Sequence, residues 1–62
     1  MEEIETRLAR RLSQLRTERG WSLDELAKRS GVSRASLSRI ENGDVSPTAS
    51  VLSKLCVAFG VT

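Results

Sequence analysis

The chain has no histidine, no tyrosine, one cysteine and one proline among its 62 residues, and its aromatics are Trp21 and Phe59 alone. Without histidine it lacks both the usual zinc-ligand spacings and the commonest general base. Its nine serines find no evident base either, because lysine stands only at positions 28 and 54. Enzymatic chemistry, a metal and a cofactor are therefore not expected. The single Cys56 excludes an internal disulfide. The longest unbroken apolar run, "LCVAF" at 55–59, is too short to cross a bilayer. Three glutamates open the chain ahead of five arginines, which is not the pattern of a secretory leader. A cytoplasmic protein with no membrane partner is the expectation.

What is present is charge and helical periodicity. The formal charge is only +2, but residues 6–39 hold nine bases against three acids, a local excess of +6. Such a basic stretch favours a polyanionic partner. A chain of this length forms one domain, 1–62, and buries only about 60% of the surface its unfolded form exposes.

Glycines at 20, 31, 43 and 60 each follow a segment with helical spacing and mark helix ends. Ahead of Gly20, the residues Ile4, Leu8, Leu12 and Leu15 recur at spacings of four, four and three, one stripe of a first helix. In "WSLDEL", Ser22 is placed to cap a second helix over residues 23–30, with Glu25 reaching back to the Ser22 N–H and Trp21 and Leu26 forming a hydrophobic staple. Ser33 caps a short third helix stapled by Val32 and Leu37, which stops at Asn42 and Gly43. After the loop "DVSPT", Thr48 or Ser46 caps a fourth helix with Val51, Leu52, Leu55, Ala58 and Phe59 on its apolar face. No strand pattern or internal repeat appears. The fold class is therefore all-α, a compact bundle of four helices.

Only Gly31, Val32 and Ser33 separate helices two and three, so the two turn sharply and approach across a small residue, Ala27. Leu26, Val32, Leu37 and Ile40 anchor the pair inward. The outward face of helix three is left with Ala35, Ser38, Arg39 and Asn42, and Arg34 sits at its tip.

Here "LDELAKRSGVSRASLSRIEN" resembles the helix-turn-helix of the lambda-repressor-like (Cro and XRE-type) transcription regulators. Ala27, Gly31, apolar residues at 26, 32, 37 and 40, "IENG" at 40–43 and "SPT" at 46–48 all fill that family's pattern, and the match covers nearly the whole chain. The resemblance implies a first helix of the pair lying across the DNA backbone and a second entering the major groove. It also implies a salt bridge between Arg16 and Glu41. Leu23 stands where the family commonly has glutamine, and Asp24 and Glu25 add negative charge beside it. Family members commonly continue past "FGVT" into a fifth helix and a further domain. A homodimer would then form through segments largely absent from this chain, and the free domain is expected to be a weakly associating monomer.

The physical logic of such a site is direct. The major groove is about 12 Å wide, enough for one helix, and its base edges differ in donors, acceptors and a methyl group. Arg34 suits the two acceptors of guanine, Ala35 the thymine methyl, and Ser33, Ser36 and Ser38 base edges or phosphate oxygens. Arg39 lies one turn on, within reach of a base or a phosphate. The N-terminal amides of helix two near Ser22 and Leu23 favour a phosphate, and Asn42, Ser46 and Thr48 are expected to hold the opposite strand. The expected function is sequence-specific binding of double-stranded DNA by a transcriptional repressor associated with the nucleoid. The alternative is a protein-binding module on the same fold, as in antitoxins. Trp21 is expected to be a core lid, Cys56 a buried inert thiol, and Arg7, Arg10, Arg11 and Arg19 solvated surface.

Overall fold

A computed structural model of the chain describes residues 4–60, which form four α-helices and no strand: α1 (Ile4–Glu18), α2 (Leu23–Ser30), α3 (Arg34–Glu41) and α4 (Ala49–Phe59). Among the described residues no helix is long and apolar enough to cross a membrane. Val61 and Thr62, after which a fifth helix is expected, lie outside the described residues, as does the side chain of Ile4.

Each of the last three helices starts at a hydroxyl cap. The Ser22, Ser33 and Thr48 side chains accept from the backbone N–H of Glu25, Ser36 and Val51 at 3.1, 3.1 and 3.2 Å, occupying one of the amide donors that a helix start leaves unpaired. Thr48 therefore takes the cap of α4 rather than Ser46. The reciprocal half of the box at α2 does not form. Glu25 turns its carboxylate outward to Arg29, one turn on, at 2.7 Å. An ion pair at this spacing is available without bending the carboxylate back over the helix start. Asn42 keeps a right-handed conformation (φ −83°), so the left-handed turn after α3 falls on Gly43 alone (φ 78°).

The core comprises Ala9, Leu12, Leu26, Val32, Leu37, Ile40, Leu55 and Phe59, with Leu26 and Leu37 at 0% exposure. Two expectations are corrected. Ala9 replaces Leu8 on the inward face of α1, where it is buried with Leu12, and Arg16 follows at helical spacing to reach Glu41 of α3. Leu8 and Leu15 are half-buried at the edge of that face. Leu52 is 37% exposed rather than core, since α4 packs on α2 through Val51, Leu55 and Phe59. Leu8, Leu15, Pro47 and Leu52 line an apolar groove of about 100 Å³ between α1 and α4. Cys56, expected to be buried, is half-buried on the wall of this groove.

Trp21 does more than staple α2. Its ring stacks on Phe59 with centroids 5.5 Å apart and 12° between planes, and the Arg29 guanidinium lies 4.4 Å above it. Arg19, expected to be solvated, sits 5.0 Å from the Phe59 ring and donates to the Phe59 carbonyl at 2.7 Å. That carbonyl belongs to the last turn of α4, where helix geometry provides no partner.

A second clasp joins α1 to α3. Arg16 donates from Nε and Nη2 to the two Glu41 carboxylate oxygens at 2.8 and 3.0 Å, and from Nη1 to the Trp21 carbonyl at 2.8 Å. The side chains are 17% and 9% exposed, so the salt bridge that the resemblance implied is present and partly buried. The hydrogen bond to Glu41 raises the Arg16 guanidinium above its ordinary value against the opposing cost of burial, with the carboxylate charge adding to the rise. A base with a raised value contributes stability that is complete below its unfolded value and is lost only above its folded one. The Arg16 contribution is accordingly not lost as pH rises through the neutral and mildly basic range.

Replacing Arg16 by Met leaves the Glu41 carboxylate and the Trp21 carbonyl without their donors, and urea denaturation is expected to show a loss of about 3 kcal/mol. An unchanged midpoint would mean the fork has no part in the fold. In the same assay Leu26→Ala is expected to cost about 2–5 kcal/mol by opening a cavity. Leu52→Ala, at the groove rim, costs less than about 1 kcal/mol.

Candidate nucleic-acid interface

The connection between α2 and α3 is built from three residues. Gly31 closes α2 in the left-handed region (φ 77°), with its N–H on the Ala27 carbonyl at 2.9 Å, a backbone state that costs other residues strain. Val32 is buried beneath the corner, and its N–H donates to Ser30 Oγ at 3.1 Å. Ser33 is extended and caps α3. With Val32, Leu37 and Ile40 all buried, the roll of α3 about its own axis is set from below.

That roll leaves Ser33, Arg34, Ala35, Ser36, Arg39 and Asn42 exposed on one side of α3, while Ser38 is half-buried at its flank. Apart from Arg34, Arg39 and Asn42, the exposed side chains are small. An eight-residue helix is about 12 Å long and, bare of long side chains, no wider than a major groove. The Ser33 and Ser36 hydroxyls are hydrogen-bonded to each other at 2.9 Å, and Ser33 Oγ is committed to its cap. Ser36 therefore keeps more hydrogen-bonding capacity for an outside group than Ser33 does.

The start of α2 lies beside the start of α3, because Arg34 Nε and Asp24 Oδ1 are 3.4 Å apart. Both side chains are open to solvent, at 65% and 76%. Glu25 is taken up by Arg29, so each acidic residue at the start of α2 is paired with an arginine, and the negative charge there is offset. Ser22 is exposed and Leu23 half-buried against the core, so only the Leu23 backbone remains for an outside partner. Asn42 sits at the far end of α3, with Ser46 and Thr48 exposed in the loop that follows. The expected phosphate-binding residues thus divide into two groups, one at each end of α3. Among the described residues no group of His, Cys, Asp and Glu is arranged to hold a metal.

Arg19 and Arg29 are side chains whose structural part sequence patterning understates, since Arg19 lies over both rings of the Trp21–Phe59 stack and Arg29 over Trp21. Only the Glu25–Arg29 spacing signals one of them in advance. Nothing in the sequence announces the Asp24–Arg34 contact, which exists only because the corner brings two helix starts together.

The geometry has close parallels. The helix-turn-helix family HTH_3 matches residues 12–62. The HTH-type transcriptional regulator SutR of Escherichia coli (strain K12) is 44% identical over 61 residues, covering 98% of this chain and 34% of that protein. The crystal structure of an HTH_3 family transcriptional regulator from Vibrio cholerae superposes with a TM-score of 0.89 at 40% identity, covering 94% of this chain and 33% of that one. The chain spans about a third of the length of these relatives. Helix-turn-helix domains of this kind are a non-enzymatic class. A four-helix bundle whose second and third helices meet at a glycine corner, matched over nearly its whole length, belongs to the HTH_3 helix-turn-helix family.

Proposed function

We propose that this chain binds double-stranded DNA in a sequence-specific way, as the DNA-binding part of a transcriptional regulator acting as a repressor at the nucleoid. The observation that carries the reading is the exposed face of α3: small polar side chains and two arginines on a helix whose buried side is held by Leu37 and Ile40. The names of the two relatives, both transcriptional regulators, support it.

On this reading α3 enters the major groove. Arg34 reads guanine, Ala35 meets a thymine methyl, and Ser33, Ser36, Ser38 and Arg39 contact base edges or the adjoining backbone. The Ser22 hydroxyl and the Leu23 amide at the start of α2 bind a phosphate, helped by the positive end of the helix dipole. Asn42, Ser46 and Thr48 bind the other strand. Phosphate contacts fix the register and base contacts select the sequence. A homodimer would place two copies of α3 in successive major grooves, about 34–36 Å apart.

Selection of bound duplexes from a random pool, followed by titration at several salt concentrations, tests the reading. The selected duplex is expected to be preferred over scrambled ones, and log affinity to fall against log salt with a slope of about −0.9 for each phosphate neutralised. Absent or salt-insensitive binding would overturn it and favour a protein partner. Arg34→Ala is expected to remove about 1–3 kcal/mol of discrimination at one base pair. Lys28→Ala, on the exposed face of α2, affects all duplexes alike if it has any effect.

A further inference from the structure

The Asp24–Arg34 contact contributes nothing obvious to the fold. It is an ion pair between two solvent-exposed side chains, a kind that adds little to stability. Its placement is more informative. Its closest approach is at Nε, 3.4 Å from Asp24 Oδ1. An arginine reads guanine O6 and N7 with two parallel N–H donors, and the terminal pair forms such a fork without releasing Nε. Pairing with Asp24 and reading a guanine are therefore compatible. Asp24 is also the carboxylate available for this at the start of α2, since Glu25 is held by Arg29.

We propose that Asp24 is a positioning residue that sets the selectivity of Arg34, an inference that rests on the DNA-binding reading above. Two effects act together. Holding the long arginine side chain by one edge removes part of the ordering cost that the base contact otherwise bears. The carboxylate also offsets the positive charge of Arg34 and so weakens attraction to any duplex, whatever its sequence. The loss is recovered only where Arg34 finds its two acceptors. Selectivity is a difference of affinities, and a repulsive element raises it as surely as an attractive one.

The test compares wild type, Asp24→Asn, Arg34→Ala and the double variant on two duplexes at one salt concentration: the selected duplex, and the same duplex with the guanine read by Arg34 replaced. Asp24→Asn is expected to tighten binding to the replaced duplex. It is also expected to lower the ratio of the two affinities by roughly 2- to 10-fold, the factor represented by ordering one long side chain. In the Arg34→Ala background the same change is expected to leave the ratio unaltered. If Asp24→Asn shifts both duplexes by one common factor, Asp24 acts as a bare charge and the proposal fails. It fails too if the ratio changes as much without Arg34. A wild type with no preference among duplexes would instead overturn the DNA-binding reading itself, and this inference with it.

Discussion

The fork from Arg16 to Glu41 is the constraint on which the presentation of α3 depends. A helix of eight residues has too few internal hydrogen bonds to persist alone in water, so its shape and direction come from what it leans on. Below, it leans on Leu37 and Ile40. At its C-terminal end, Glu41 is gripped through both oxygens by a side chain that also holds the Trp21 carbonyl. One guanidinium thereby joins the end of α1, the segment before α2 and the end of α3. Because the planar donor group matches the carboxylate on two points, the contact fixes an angle as well as a distance.

The Trp21–Phe59 stack does related work for the other two helices. Phe59 ends α4 and Trp21 precedes α2, and two arginines lie over their rings. In a chain with two aromatics, setting them parallel and covering them with the aliphatic and cationic parts of arginine closes the bundle with few residues. Arg19 adds a hydrogen bond to the α4 end carbonyl. Arginines that count as surface charge in the composition are thus spent partly on holding the fold together.

Helix boundaries and the corner are legible in the sequence because their causes are local. A hydroxyl before an amphipathic segment and a glycine after it act within four residues. Leu37 and Ile40 are legible as core because their spacing of three puts them on one face of α3, and Leu26 and Val32 because each is a staple partner at a helix start. Leu52 and Ala9 are not, because which edge of an apolar stripe becomes buried depends on which helix packs against it, and α1 closes on α3 while a groove separates it from α4. Glu25 has two partners in range along one helix, and spacing alone does not rank them. The residues of the candidate site are legible as a set, through their likeness to a family pattern. The contact between Asp24 and Arg34 is not legible, since it spans two helices and depends on the angle between them.

The cap at Ser33 divides the exposed positions of α3 into two kinds. Its hydroxyl accepts the Ser36 amide, so only residues with a short acceptor side chain can stand there without loosening the start of the helix. Arg34, Ala35 and Arg39 carry no such duty and are exposed. On the proposed DNA-binding reading, divergence among relatives of this chain, or deliberate retargeting of it, therefore has three variable positions beside one that is nearly fixed, with the scaffold beneath undisturbed.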